Sequence, residues 1–320
     1  MDRRKFMKGG AALGLAMAPA AAQQPGNTGQ SSQKTVAVKS SQAFWPNGAR
    51  FVVSLSMQLE TGAQPERGAN GPWGNLDVRY RDMPTEKWYE YGFKEGVPRL
   101  LDLFDRRKVS VTSHMVGLAV EKHPALAKEI VQRGHEAAAH AQTWASIYDK
   151  TREEEKASIE TGAKTVERVT GVRPLGFNAP GMRGTPNTLE ILQELGFLYH
   201  TDDLSRDEPF LIPVRNKPFI VVPYTFQLND YQNYENRWRT CTDFAGELKA
   251  EFDALYAESE HKRRMMSIAT HDRVARPSRV RVLDEFVAYA QRHPGVVFLK
   301  KEEIARYAMN SPLTIREDGV

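Results

Sequence analysis

The chain has 320 residues, of which 41% are hydrophobic and 26% are charged, a composition that is ordinary for a globular protein. Its formal net charge is +4, but four basic residues and one acidic residue in 1–22 account for +3, which leaves +1 for residues 23–320. This nearly neutral remainder gives no case for nucleic acid or an anionic membrane as a partner, and the single cysteine, Cys241, excludes an intramolecular disulfide.

The first 22 residues have the pattern of an export signal. Arg3 and Arg4 precede a modestly apolar stretch, and Ala20–Ala22 offers a cleavage site. The apolar stretch is too short and too rich in Gly and Ala for a stable membrane span. We therefore expect a twin-arginine signal peptide over residues 1–22 and a periplasmic protein, the alternative being a disordered basic terminus. Residues 23–42 are polar and predict a flexible leader.

Strand-like apolar runs recur along the rest of the chain, with helix-like segments such as 124–134 and 152–169 between them. Most runs end in a polar residue of chemical interest: Gln58 and Glu60, His114, His140, Asn178, His200 and His271. Alternating strands and helices predict an α/β protein with a parallel sheet whose strand ends lie on one side. In a (β/α) barrel that side holds the active site, so the pattern indicates an enzyme.

From residue 43 onward the sequence shows no linker long enough to divide two domains and no internal repeat. We expect one catalytic domain over residues 43–310 and a C-terminal tail over residues 311–320. Residues 62–88, rich in Gly, Pro and Arg, are predicted to form a long loop beside the end of the first strand. Long loops in compact domains are often functional.

A set of short motifs, taken in order, is more specific: Trp45–Arg50, Gly134–Glu136, His140 with Trp144, Pro186–Thr188, Pro223–Thr225 with Asn229 and Asp230, and Thr270–Arg279. The set resembles the polysaccharide deacetylase (NodB homology) superfamily, and within it the allantoinase-like branch that hydrolyses cyclic ureides. The resemblance covers about residues 43–308. It implies a distorted (β/α) barrel of about seven parallel strands and hydrolysis of a non-peptide carbon–nitrogen bond.

The resemblance also implies a changed set of site residues. Gln58 and Glu60 hold the places of two aspartates in typical metal-dependent members, one a base and one a metal ligand. His140 matches one metal-binding histidine, and Trp144 replaces the second. Asn178 replaces an arginine that usually pairs with the base aspartate; this agrees with Gln58, because an unpaired arginine in a confined site is unfavourable. His271 matches the usual proton donor.

We expect Glu60 to act as the base or to position the attacking water. His140 would orient that water or bind a metal, and His271 would protonate the leaving nitrogen. The alternative for each is structural, since buried histidines are often hydrogen-bonded core residues and Glu60 could belong to an exposed loop. Four further residues are predicted to bind substrate: Gln58, Trp144, Asn178 and Arg183.

A catalytic zinc normally has three protein ligands and a water. Glu60 and His140 would supply two ligands, whereas Trp144 has no lone pair free to coordinate. The sequence therefore favours no cofactor. The alternative is a divalent metal such as zinc, with His114 as the third ligand.

Three functions remain open. The first is an exported hydrolase that removes the acetyl group from an N-acetylated glycan, and the second is a hydrolase that opens a small cyclic amide or ureide. The third is a non-catalytic glycan-binding relative. An open groove lined by aromatic residues would favour the first, and a small closed pocket with an arginine would favour the second. A homo-oligomer is compatible with each.

Overall fold

The computed structural model describes residues 44–318, so the predicted signal peptide and leader over residues 1–42 lie outside the described residues. The strands of this part are β1 Phe51–Leu59, β2 Thr112–Met115, β3 Glu136–Ala139, β4 Gly176–Phe177, β5 Tyr199–His200, β6 Phe210–Val214, β7 Lys217–Val221, β8 Arg264–His271, β9 Val296–Phe298 and β10 Ile315–Arg316. Its helices are α1 Met83–Tyr91, α2 Val97–Arg107, α3 Gly117–Lys122, α4 Pro124–Gln132, α5 Arg152–Thr170, α6 Thr188–Glu194, α7 Cys241–Glu258, α8 Pro277–Ala290 and α9 Lys301–Asn310.

All of these strands belong to one sheet, in the order β10-β6-β7-β5-β4-β3-β2-β1-β8, with β9 also paired to β1. Every pairing is parallel except the antiparallel hairpin of β6 and β7. The predicted α/β fold with a mostly parallel sheet is therefore confirmed. Part of the segment predicted as a C-terminal tail forms β10, which pairs with β6. No helix within residues 44–318 has both the length and the apolar character needed to cross a membrane.

The hydrogen-bonded sheet is not closed within residues 44–318, because the free edge of β8 faces a turn rather than a strand. Ser267 donates its backbone N–H to the side chain of Thr225 at 3.2 Å, and Asn229 forms an isolated parallel bridge with Ala269. Between these contacts the chain makes the 3₁₀ turn Phe226–Leu228. This segment contacts β8 only at single residues and adds no strand to it. The sheet of the predicted barrel is therefore interrupted beside β8.

The register of the sheet places three predicted residues side by side. Gln58 near the end of β1 is paired with His114 on β2 and with His271 on β8. Because these strands are parallel, their carboxyl ends lie at the same edge, and the loops that follow them surround one site. All nine residues of β1 are buried, as expected for a strand covered on both faces.

The interior beneath this site is polar. The side-chain nitrogen of Lys301 donates to the hydroxyls of Ser54 at 3.2 Å and Ser267 at 3.0 Å, in a fully buried position. Burial lowers the pKa of Lys301 to about 8. A buried ammonium that keeps hydroxyl partners is tolerated in a protein interior.

The prediction that residues 62–88 form a loop is wrong at its C-terminal end, where α1 begins at Met83. Asp82 caps this helix by accepting the backbone N–H of Thr85 at 3.1 Å, and Pro84 occupies the first turn. The acidic cap and the proline are helix-start signals that the Gly- and Arg-rich composition of the preceding residues concealed. Helix α1 is important for the site because it contributes Trp88 and Tyr89, which pack against Arg273.

Gly96 is a position where the fold has no room for a side chain. A Cβ there would lie 1.8 Å from the backbone oxygen of Asp272, which follows β8 directly. We expect Gly96→Ala to lower the free energy of unfolding by about 1–3 kcal/mol, the usual range for overpacking. Gly246→Ala is the matched control: it lies in α7 with nothing within 4 Å of the added methyl group and should stabilise by about 0.5–1 kcal/mol. Equal urea midpoints for the two variants would contradict the expected clash.

Candidate active site

The three predicted catalytic residues lie together at the carboxyl edge of the sheet. His140 Nε2 is 3.3 Å from Glu60 Oε1, and His271 Nε2 is 3.9 Å from the same oxygen. Each of the three residues is buried, with 2% to 6% of its surface exposed. The site is therefore a recessed group of one carboxylate and two imidazoles, which is suited to proton transfer in a confined space.

A hydrogen bond to the backbone defines the tautomer of His140. Its Nδ1 lies 2.6 Å from the backbone oxygen of Asn178, and because a carbonyl oxygen only accepts, Nδ1 carries a proton. The contact from Nε2 to Glu60 is then a hydrogen bond only when His140 holds both protons.

Glu60 is ionised because of its neighbours. Burial alone raises its pKa, but the Arg273 cation, followed by His271 and His140, lowers it further than burial raises it. The net effect holds the pKa of Glu60 well below its usual range. Arg273 Nη1 donates to Glu60 Oε2 in a buried ion pair, and the same nitrogen is 3.4 Å from Asp272. A carboxylate with so low a pKa is a weak proton acceptor, which suits water positioning better than proton abstraction.

Arg273 was not identified from the sequence. Only 1% of its surface is exposed, and its guanidinium carbon lies 4.9–5.1 Å from the ring centres of three aromatic residues: Trp88, Tyr89 and Tyr231. Burial lowers the pKa of this group, but Glu60 and the other acidic neighbours raise it by more, so the net shift is upward and Arg273 stays cationic. The only sequence signal was an arginine two residues after His271.

Two aspartates hold the end of β8. Asp230 Oδ1 accepts from His271 Nδ1 at 2.6 Å, and its other oxygen accepts the backbone N–H of His271 at 2.9 Å. Asp272 accepts the backbone N–H groups of Glu60 and Thr61 at 2.8 and 2.7 Å. Asp230 thereby fixes the tautomer of His271 with Nε2 directed at the site, and Asp272 joins the end of β8 to the end of β1.

Three of the four predicted substrate-binding residues line one small cavity with the catalytic group: Gln58, Trp144 and Asn178. Asn178 also donates from its side chain to Asp202 at 2.5 Å. Burial raises the pKa of Asp202 to about 6, although this hydrogen bond and the backbone N–H of Ala179 oppose the rise. Arg183 is not part of this cavity and lines a second one further out.

The two cavities adjoin. The inner cavity has a volume of about 100 Å³ and the outer one about 500 Å³, and both are lined by Trp144, Gly181, Tyr231 and Gln232. Three buried polar atoms in the inner wall have no hydrogen-bond partner among residues 44–318: Gln58 Oε1, Trp144 Nε1 and Arg273 Nε. Buried polar groups are normally paired, so these three side chains keep unused hydrogen-bonding capacity beside the inner cavity.

The alternative metal site made of Glu60, His140 and His114 is not assembled. His114 Nδ1 lies 3.2 Å from the side-chain nitrogen of Gln58, and its ring centre is 6.3 Å from that of His140. In the part of the chain from 44 to 318, no group of three or more His, Cys, Asp or Glu residues is arranged to hold a metal. Arg273 already binds Oε2 of Glu60, so a divalent ion at these residues would lie beside a fixed cation, and the residues do not fit one.

Comparisons with known proteins identify the family. The polysaccharide deacetylase family model matches residues 84–200. A Schizosaccharomyces pombe protein named as a polysaccharide deacetylase is 28% identical over 295 residues, which cover 82% of this chain and 91% of that protein. The crystal structure of Puue allantoinase superposes with a TM-score of 0.79 at 32% identity, and covers 84% of this chain and 94% of its own. A polysaccharide deacetylase structure from Pseudomonas aeruginosa PAO1 gives 0.76 at 31% identity, with 84% and 94% covered.

The chain belongs to the polysaccharide deacetylase family, whose members are hydrolases of non-peptide carbon–nitrogen bonds. The predicted family, fold and enzyme class are confirmed at this level. Export, the substrate and the roles of the individual site residues stay predictions.

Proposed function

We propose that the protein hydrolyses the amide bond of a small cyclic amide or ureide. The observation that carries this proposal is the small inner cavity of about 100 Å³, which is lined by the Glu60–Arg273 ion pair and by three residues that each have an unpaired buried polar atom. Pockets that take drug-sized ligands usually measure about 300–1,000 Å³, so this cavity suits a compact, polar substrate. The likeness to the allantoinase structure supports the same choice.

In the proposed mechanism, His271 moves the protons. Its Nδ1–H is held by Asp230, so the neutral ring presents the Nε2 lone pair to the cavity. Nε2 takes a proton from water as the water oxygen bonds to the carbonyl carbon, and the carbonyl electron pair moves onto oxygen. When the carbon–nitrogen bond breaks, Nε2 returns that proton to the leaving nitrogen. One histidine oriented by a carboxylate thus serves as base and then as acid.

Glu60 and His140 position the water in this mechanism. Glu60 Oε1 is the oxygen that both imidazoles approach, and its ionised state makes it a strong hydrogen-bond acceptor. A water held by Glu60 would lie beside His271 Nε2, which removes its proton. Trp144 and Tyr231, at the boundary of the two cavities, would exclude bulk water once a substrate is bound.

A second candidate is N-deacetylation of a glycan. The outer cavity of about 500 Å³ is lined by the exposed Tyr148 and by several carboxamide side chains, features that suit a sugar chain. The family relatives named as polysaccharide deacetylases, and the proposed export through Arg3 and Arg4, point the same way. Cell fractionation tests the export.

A substrate panel separates these functions. Purified protein is assayed against cyclic ureides and imides, linear amides, and N-acetylated glucosamine oligomers, each with and without chelator. We expect turnover of a cyclic substrate that the chelator does not reduce. Release of acetate from the oligomers alone would replace this proposal with glycan deacetylation, and no turnover on any substrate would favour a non-catalytic glycan-binding protein.

A further inference from the structure

The hydrogen bonds of Arg273 leave one edge of its guanidinium unused. Among residues 44–318, its side-chain hydrogen bonds all come from Nη1, which contacts Glu60 and Asp272. Nε is buried without a partner, and the hydrogen bonds of this side chain in the same range include none from Nη2. Surface arginines of this chain use the Nε and Nη2 edge to bind both oxygens of a carboxylate, as Arg81 does with Glu86. The corresponding edge of Arg273 is left for another group.

The guanidinium is held rigidly in the wall of the inner cavity. Glu60 and Asp272 bind one end, and the rings of Trp88, Tyr89 and Tyr231 surround the rest. Cation–π contacts of this kind are strongest where water is excluded. The positive charge therefore stays in place during a reaction and needs no reorganisation to meet a developing negative charge.

We propose that Arg273 is a catalytic residue that binds the carbonyl oxygen of the scissile amide and stabilises the oxyanion. This inference rests on the proposed hydrolysis. As water adds to the carbonyl carbon, the carbonyl electron pair moves onto an oxygen that accepts hydrogen bonds from Arg273. When the carbon–nitrogen bond breaks, that pair re-forms the carbonyl and the nitrogen takes the proton held by His271. Arg273 gains and loses no proton.

Arg273 would also explain why the donor set does not fit a metal. Activation of an amide requires a positive or hydrogen-bonding group at the carbonyl oxygen. Trp144 holds a position where the resemblance expects a metal-binding histidine, and Gln58 that of the base aspartate, while Arg273 places a permanent cation against Glu60. A divalent ion bound to Glu60 and His140 would lie close to that cation and be repelled. The fixed guanidinium supplies the charge instead.

A rival role for Arg273 is that of a counter-ion for Glu60 alone. Arg273→Lys separates the two roles, because a lysine keeps the positive charge but not the planar two-donor edge. If Arg273 binds the oxyanion, kcat should fall about 10²–10³-fold, the loss seen when an oxyanion donor is removed, while KM changes little. Arg276→Lys is the matched control: its guanidinium carbon is 3.5 Å from the ring centre of Tyr91, and we expect normal kcat.

Binding of methylphosphonate, which mimics the tetrahedral oxyanion, is measured by calorimetry on the same proteins. We expect Arg273→Lys to weaken binding at least about tenfold, a difference near 1.4 kcal/mol. A folded Arg273→Lys protein with normal kcat or with unchanged methylphosphonate binding would overturn the inference. If Arg273→Lys does not fold, the double variant Glu60→Gln with Arg273→Gln, in which both charges are removed, replaces it. Unchanged methylphosphonate binding by this double variant would also overturn the inference.

The two proposals fail differently. Wild-type protein that turns over no amide but binds methylphosphonate through Arg273 would remove the proposed hydrolysis and keep the oxyanion site. An Arg273→Lys variant that hydrolyses a cyclic amide at the wild-type rate would keep the proposed function and remove the role of Arg273.

Discussion

Replacing His271 with alanine is expected to lower kcat by about 10²–10⁴-fold, the usual contribution of a positioned acid–base group. The reason is geometric: Asp230 holds Nδ1 at 2.6 Å, so Nε2 is the only ring nitrogen that can exchange a proton with substrate. Initial rates on the substrate found in the panel, at a concentration well above KM, give the measurement. Stability should change far less than turnover, because the backbone N–H of residue 271 still donates to one of the two oxygens of Asp230.

His135→Ala is the matched control for this loss. His135 is also a buried histidine, with 4% of its surface exposed, but its Nδ1 accepts the backbone N–H of Val111 and its ring packs against Phe104. We expect His135→Ala to lose stability and to keep kcat per folded molecule. A normal kcat in His271→Ala, or an equal loss of kcat in both variants, would remove His271 from the mechanism.

The sequence was sufficient to predict which strand ends lie together. The carboxyl ends of parallel strands lie at one edge of the sheet, so polar residues at the ends of apolar runs are expected to lie near one another. Gln58 is paired with His114 on one neighbouring strand and with His271 on the other. His140 and Asn178 also follow apolar runs, and the structure shows their contact with each other. These residues could be predicted from the sequence because each belongs to a strand or follows one directly.

Arg273 and its aromatic neighbours could not be found in the same way. Trp88 and Tyr89 come from α1, which the loop-like composition of residues 62–88 concealed, and Tyr231 lies in an irregular segment. No periodic pattern relates these positions to residue 273. Asp230 belongs to one of the motifs in the sequence, but its contact with His271 is shown only by the structure.

For His114, the sequence predicted the position in the fold but not the partner of the side chain. The sequence correctly places it at the end of a strand beside β1, but its ring contacts the amide of Gln58 and not the carboxylate of Glu60. Burial lowers the pKa of His114 well below its usual value, and the positive charge of Lys301 contributes to the decrease. Position at a strand end determines which residues lie near a site, whereas the hydrogen-bond partners of their side chains determine which of them contact its catalytic groups.

The second large effect concerns the stability of the Glu60–Arg273 ion pair. Breaking a buried pair typically lowers the free energy of unfolding by about 3–5 kcal/mol, because one charge is left uncompensated. We expect Glu60→Gln and Arg273→Met each to have an effect of this size in urea unfolding at pH 7. The exposed pair Arg81–Glu86 is the control, and Glu86→Gln should change stability far less.

The double variant Glu60→Gln with Arg273→Met should be more stable than the sum of the single losses predicts, with a coupling of about 0.5–3 kcal/mol. Additive losses would mean that the two side chains do not stabilise each other. Acid provides an independent check. Burial raises the pKa of Glu60 but Arg273 lowers it further, so the contribution of Glu60 is complete above its unfolded value of 4.5 and is lost as pH falls below it. The difference between wild type and Glu60→Gln should shrink accordingly.

The two single variants should not be equal. In Glu60→Gln the Arg273 cation keeps a second carboxylate nearby, since Nη1 is 3.4 Å from Asp272. In Arg273→Met, Glu60 and Asp272 are both left buried, and their like charges repel. Asp272 still accepts backbone N–H groups, but Glu60 retains only His140 and His271. Arg273→Met is therefore expected to be the less stable of the two, and the reverse order would show that Asp272 is protonated in the folded protein.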